Sequence, residues 1–311
     1  MTLSNITKTL TLNTGAKIPQ VGFGTYQSNP QSNEGYNAVL AALKAGYRHI
    51  DAAAAYRNEN EVGKAIRDSG IPREEIFVTT KLWQTQHRDP SKALDESLER
   101  LGLEYVDLYL IHWPSPQIAR DNSEDALFEF LQKPNLDTEW NINKTWELVQ
   151  ELPATGKAKA VGVSNFSIKQ LKQIIESPST KIIPAANQIE IHPLFPNTEL
   201  IEFSKSHSII IEAYSPLGSQ IPLKGVNPLF SNTTLQSLAE SKNVSIAQLL
   251  VNWGVKRGYV VLPKSSKPER IEQNLKDIDL TDDDFERISN LLIEIGENRM
   301  IDVGWNDFSN Y

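Results

Sequence analysis

Along the chain, short runs rich in β-branched and aromatic residues alternate with stretches whose apolar positions recur at helical spacing. IFVTTKL (Ile76–Leu82), VDLYLIHW (Val106–Trp113), KAVGVSNF (Lys159–Phe166) and SIIIEAYSP (Ser208–Pro216) predict buried parallel strands. Between them, PSKALDESLERLG (Pro90–Gly102) sets Ala93, Leu94, Leu98 and Leu101 on one face, the pattern of an amphipathic helix. Strand and helix in repeated alternation predict an α/β fold, a parallel sheet covered by helices. The candidate strand ends are Gly24, Asp51, Lys81, His112, Ser164, Gln188, Tyr214 and Leu262, at successive intervals of 27, 30, 31, 52, 24, 26 and 48 residues. Five intervals fit one strand–helix unit. The two long ones contain 113–140 and 217–235, rich in Pro, Asn and Ser, and are read as long loops. Eight strands with eight crossovers match a (β/α)8 TIM barrel. A doubly wound open sheet is the alternative, but it calls for a glycine-rich turn after the first strand. VGFGTYQSNP offers Gly22 and Gly24 without the third glycine of that fingerprint.

Ahead of the strands, TKTLTLNTGAKIPQ alternates polar and apolar residues around Asn13-Thr14-Gly15 and predicts a β-hairpin closing the bottom of the barrel. After the last unit, LTDDDFERISNLLIEI predicts one more helix, capped by Thr281 or Asp282. The aromatic tail MIDVGWNDFSNY is expected as a loop over the C-terminal face of the sheet, where such barrels carry their sites. No composition break or internal repeat divides residues 1–311, so one domain is expected.

Composition narrows the chemistry. With no cysteine there is no thiolate metal site, disulfide or thiol nucleophile, and no metal is expected. A net charge of −8 with interleaved signs argues against a nucleic-acid partner. The start, MTLSNITKTL, lacks the charged and apolar segments of a signal peptide, and no apolar run approaches the roughly 18 residues of a membrane span. A cytoplasmic protein, monomeric and without a membrane partner, is expected.

Four polar residues then stand out at neighbouring strand ends. Asp51 closes GYRHID, Tyr56 follows five positions on, Lys81 ends the third strand and His112 the fourth. Singly, each has a bland explanation: a helix cap, a packing ring, a surface lysine, a core histidine. Together they would share one pocket. Tyrosine, with an unperturbed pKa near 10, is a poor acid near neutrality. A lysine ammonium beside it is expected to lower that value, and a carboxylate to keep the buried lysine charged. A neutral His112 could donate one hydrogen bond to a carbonyl oxygen. The set suits carbonyl reduction, with hydride added to carbon and the Tyr56 proton to oxygen.

The stretch GYRHIDAAAAYRNENEVG resembles the aldo-keto reductase motif that carries the catalytic Asp and Tyr; KLW, LGLEYVDLYLIHWP and LPKSSKPERIEQN resemble the same family. The likeness runs from about Leu10 to Tyr311 and is nearest to fungal aldose-reductase-like and glycerol-dehydrogenase-like members. It implies Asp51, Tyr56, Lys81 and His112 as a catalytic tetrad. Ala52 departs from the usual Ser or Thr. The resemblance also implies an extended nicotinamide cofactor across the barrel mouth, with Gly24, Thr25, Tyr26 and Asp51 beside it. Ser164, Asn165 and Gln188 would hold the carboxamide, Tyr214 would stack on the ring, and Ser215, Pro216, Leu217 and Ser219 would meet the pyrophosphate. Lys264, Ser265, Ser266 and Arg270 would clamp a 2′-phosphate, with Gln273 and Asn274 at the adenine.

The basic residues crowding that predicted helix start oppose the helix dipole unless an anion sits there, which agrees with the 2′-phosphate clamp the resemblance implies, so NADPH (NADP+) is expected over NADH. Ile221 stands where many relatives have an Asp that latches a loop over the pyrophosphate, so faster cofactor exchange is expected. Tyr26, Tyr56, Trp83, His112, Trp113 and Trp305 would line the pocket of a small carbonyl substrate. A Schiff-base lyase using Lys81 and a cofactor-binding sensor or scaffold subunit remain as alternatives.

Overall fold

The computed structural model describes residues 7–26, 33–119, 133–218, 227–303 and Asn306. Strands β1 (Thr9–Thr11) and β2 (Lys17–Pro19) pair antiparallel about a turn with Gly15 at φ 87, which is the expected hairpin. Eight further strands follow: β3 (Phe23–Gly24), β4 (His49–Asp51), β5 (Phe77–Leu82), β6 (Val106–Ile111), β7 (Ala158–Ser164), β8 (Ala186–Glu190), β9 (Ile210–Tyr214) and β10 (Val260–Val261). They form one all-parallel, curled sheet in chain order. Its two edges are hydrogen-bonded to each other: Gly22 N–H donates to the Val261 carbonyl at 2.9 Å and Val261 N–H to that of Gln20 at 2.8 Å.

Local chemistry explains the intervening helices. Pro90–Leu101 starts where the Asp89 side chain accepts from Lys92 N–H, and stops at Gly102, whose φ of 63 suits a residue without Cβ. The predicted apolar face of that helix is buried. Two expectations need correction. Part of 217–235 is helical, over Pro228–Ser231 and from Thr233 on, because Asn227 and Asn232 cap helix starts with their side chains. The last helix is interrupted at Asn290 into Asp282–Ser289, capped by Thr281, and Leu291–Ile295.

Strand alternation divides the interior. Residues such as Ile50, Val78, Tyr109, Val161 and Ile189 face the helices in one large apolar cluster. Phe77, Leu108, Leu110, Ala160, Ala186 and Val260 face inward and form a second, which Leu12 and Ile18 of the hairpin join. That smaller cluster fills the N-terminal end of the sheet's interior. Towards the C-terminal end the inward positions become polar.

Candidate active site

On β4, β5 and β8 the inward positions include Asp51, Lys81 and Gln188, which meet. Lys81 Nζ donates to both Asp51 oxygens at 2.8 Å and to the Ala52 carbonyl at 2.9 Å, with no side-chain exposure to solvent. Gln188 Nε2 donates to Asp51 Oδ1 at 2.8 Å. Burial by itself would lower the lysine pKa, but the charges of Asp51, Tyr56 and Glu212 and the Asp51 hydrogen bonds bring it above its ordinary value. An ammonium with three acceptors is not a nucleophile, which disfavours the lyase alternative.

After Asp51 the chain makes one 3-10 turn, Ala54–Tyr56, ended by Arg57 at φ 55. The preceding Ala52 and Ala53 are fully buried, so that part of the alanine run is packed rather than open. This turn brings the Tyr56 ring within 5.1 Å of Lys81 Nζ and 5.7 Å of the His112 ring. Tyr26 packs edge-on against Tyr56 at 5.4 Å, and Trp83 against His112 at 5.5 Å. Trp113 is almost fully buried.

The pKa expected for Tyr56 needs correction. Lys81 does pull it down, but burial pushes harder and Asp51 adds to it, so the phenol lies above its ordinary value. Tyr56 therefore holds its proton through neutrality. Burial first, and the Lys81 charge second, hold His112 well below 6.5 and hence neutral. Its Nδ1 is buried without a hydrogen-bond partner among the described residues.

Around this centre the other predicted residues are mutually engaged. Ser164 Oγ donates to the Gln188 carbonyl at 2.8 Å; Asn165 Nδ2 donates to the His112 carbonyl at 2.9 Å; Tyr214 OH donates to Asn165 Oδ1 at 2.7 Å. Gly24 pairs with Asp51 across β3 and β4, and the Thr25 N–H and Oγ1 both donate to the Asp51 carbonyl. Ser215 at φ 49 opens a turn through Pro216 and Leu217 to Gly218, and Asn227 Nδ2 pins it by donating to the Leu217 carbonyl at 2.8 Å. Lys264, Ser266 and Arg270 are exposed at or near the start of the helix Pro268–Leu275, Gln273 is exposed in its last turn, Ser265 is half-buried and Asn274 is buried. Ser219, Ile221 and Trp305 lie outside the described residues.

The sequence reading missed three features. Asn58, fully buried, donates to the Thr25 carbonyl at 2.8 Å and so fixes the first strand's exit. Glu190, two residues beyond Gln188 on the same face, binds the C-terminal tail. Behind the ion pair lie His49 and Glu212, both fully buried and 3.9 Å apart. A Cβ on Gly22 would come within 2.5 Å of His49 Nδ1, so that glycine makes room for the imidazole rather than for a phosphate. The one signal available was a glutamate inside each of the β-rich runs NQIE and IIEAY.

His49 is lowered to about 4 by burial, so it does not offset a charge on Glu212. Burial, and secondarily the charge of Asp51, raises Glu212 to about 8. In the unfolded chain a glutamate titrates near 4.3. Between these values the folded state keeps a proton that the unfolded state has released, so stability falls as pH rises through the window. Denaturant midpoints should show the protein losing about 3 kcal/mol between about pH 5.5 and pH 8 from this group, and Glu212→Gln losing correspondingly less. Parallel pH slopes for the two proteins would contradict a protonated Glu212.

Comparison with known proteins agrees with this geometry. The profile of the Aldo/keto reductase family matches residues 20–293. An aldehyde reductase of Saccharomyces cerevisiae is 55% identical over 99% of this chain and 98% of its own. A glycerol 2-dehydrogenase (NADP(+)) of the same yeast is also 55% identical, over 99% of this chain and 98% of its own. Among solved structures, an aldo/keto reductase from Brucella melitensis superposes with a TM-score of 0.76 at 42% identity, covering 91% of this chain and 99% of that one. With Asp51, Lys81, Tyr56 and His112 gathered at the C-terminal end of the sheet, the family profile matched over residues 20–293 and both relatives matched from end to end, this chain belongs to the aldo/keto reductase family.

Proposed function

We propose that the protein is an NADPH-dependent reductase of aldehydes and ketones, with Tyr56 as proton donor. The observation that carries this is the buried Lys81–Asp51 pair under a protonated Tyr56 and beside a neutral His112. The names of the two yeast relatives support the same chemistry and NADP as cofactor. We further take the edge-to-edge hydrogen bonds to mean a closed (β/α)8 barrel over residues 1–311, with the tail across its active-site face. We take the protein to act as a cytoplasmic monomer on small carbonyl compounds, such as short aldehydes, aldoses and keto esters.

The cofactor residues fit a phosphorylated dinucleotide. The helix Pro268–Leu275 begins at Lys267 without a side-chain cap, while exposed Lys264 and Arg270 crowd its start. An uncapped helix start ringed by cations suits an anion. Asn274 Oδ1 is buried without a partner among the described residues, an acceptor available to an adenine amine. Lys264, Ser265, Ser266 and Arg270 would hold the 2′-phosphate, and Gln273 and Asn274 the adenine. Ser215, Pro216, Leu217 and Ser219 would meet the pyrophosphate. Gly24, Thr25, Tyr26, Ser164, Asn165, Gln188 and Tyr214 would surround the nicotinamide. When bound, NADPH supplies the hydride.

The chain's own residues do the rest. His112 donates a hydrogen bond that orients the carbonyl, Tyr56 transfers its proton to the oxygen, and Lys81 stabilises the phenolate left behind. Asp51 and Gln188 hold Lys81 in line. Tyr26, Trp83, Trp113 and Trp305 would form the wall of the substrate pocket.

Following NADPH absorbance against a panel of aldehydes and ketones tests the reading. Oxidation of NADPH supports it; cofactor binding without oxidation of NADPH by any compound would favour a sensor. The cofactor clamp has its own test. Arg270→Ala is expected to raise the NADPH dissociation constant roughly 30-fold, from loss of one charge-assisted contact, with little effect on NADH. Equal weakening of both, by tryptophan fluorescence quenching, would remove Arg270 from the 2′-phosphate.

A further inference from the structure

Glu190 is a charged residue at the end of β8, wholly buried. A carboxylate in such a place is costly unless its oxygens are hydrogen-bonded. Here they are, and to the C-terminal tail. Met300 N–H donates to Oε1 at 2.7 Å and Ile301 N–H to Oε2 at 2.8 Å, while His192 Nε2 lies 3.0 Å from Oε1. Each oxygen thus takes one backbone donor of an irregular segment that has no sheet or helix to satisfy it. Charge-assisted bonds of this length are the strong kind.

The position of this anchor gives it a consequence for catalysis. Residues two apart on a strand share a face, roughly 6–7 Å apart. Gln188, which donates to Asp51, is therefore one pleat below Glu190, and the tail is tied one pleat beyond the residue that reaches Asp51, on the same face of β8. A second tie lies further along: Asn306 Nδ2 donates to the Asn165 carbonyl at 3.2 Å, and Gln170 Nε2 donates to Asn306 Oδ1 at 3.1 Å. The side chains of Met300 and Ile301 stay half-buried rather than sunk into the core.

We propose that Glu190 is a specificity-determining positioning residue: by gripping the backbone of Met300 and Ile301 it fixes the wall against which the non-reacting end of a bulky carbonyl substrate packs. A small aldehyde reaches Tyr56 without that wall. This rests on the carbonyl-reductase reading above. Substituting glutamine turns one oxygen into a donor that opposes a backbone N–H, releasing one side of the grip.

The test compares kcat/KM for glyceraldehyde and for a naphthaldehyde, with NADPH. In Glu190→Gln the ratio is expected to shift about tenfold against the naphthaldehyde, the scale on which pocket contacts discriminate, with the NADPH dissociation constant unchanged. Met300→Pro deletes the donor from the tail while leaving the barrel strand intact, and is expected to move the ratio the same way. The double variant should do no more than the larger single effect, because both changes break one grip. An unchanged ratio, an equal fall for both aldehydes, or a shift in favour of the naphthaldehyde overturns the proposal. Should Glu190→Gln fail to fold, Met300→Pro decides alone. Absence of NADPH oxidation by the unaltered protein with either aldehyde would instead refute the reductase reading.

Discussion

Tyr56→Phe is expected to lower kcat by at least about a thousandfold, the upper range for removal of a general acid, while leaving NADPH binding within a fewfold of normal. The phenol is the protonated group poised between Lys81 and His112, and the ring that remains still packs on Tyr26 and His112. Because burial outweighs the Lys81 charge and raises its pKa, the donor keeps its proton beyond the ordinary tyrosine range. The kcat/KM for reduction, as far as this group governs it, should therefore stay level from neutrality and decline only above the pH at which an ordinary tyrosine ionises. Alcohol oxidation, which needs the phenolate, should rise over the same alkaline range. A Tyr56→Phe enzyme with near-normal turnover would transfer the role to His112. That assignment would predict activity climbing as pH falls well below 6.5, since His112 is neutral above that. Steady-state pH profiles of the two proteins separate the possibilities.

Lys81→Met should damage stability and turnover together. It removes the partner of a buried charge and leaves Asp51 with Gln188 as its side-chain donor. Breaking such a pair costs about 3–5 kcal/mol, visible as a lowered denaturant midpoint. Turnover should fall about a thousandfold or more, because the phenolate formed on proton transfer loses its counter-charge. Adding Asp51→Asn should restore part of the stability, since no charge is then left unpaired, yet restore none of the activity. Recovery of activity in the double variant would show that the ion pair serves folding alone. A Lys81→Met protein as stable as the parent would mean that Asp51 is satisfied without the lysine.

These results bear on how the chain encodes its site. Periodicity is a local property, so strand and helix alternation was legible at once, and each strand end fell within two residues of the expected one. The helix Pro90–Leu101 was readable for the same reason, since its cap, apolar face and terminating Gly102 lie within 14 consecutive residues. Asn227 and Asn232 misled because asparagine favours both loops and helix starts, and only the following residues decide. Asp51, Tyr56, Lys81 and His112 were nameable as candidates because they sit at or just beyond neighbouring strand ends and their order resembles a known family.

What sequence could not supply are distances across the sheet and the balance of burial against charge. Gln188 finds Asp51 from 137 positions away, and Glu190 finds Met300 from 110. No local pattern encodes such pairings. The direction of the Tyr56 pKa was mistaken for a related reason: Lys81 is visible as a neighbouring charge, but the depth at which both lie is set by how the whole sheet packs. By itself the sequence determined the α/β alternation, the family and the residue types available for proton transfer, because these follow from spacing and side-chain chemistry. Only the tertiary structure decided which groups stay protonated, what holds Asp51 and Lys81 in place, and where the tail is tied, because those depend on how far each group is removed from water and on partners distant along the chain.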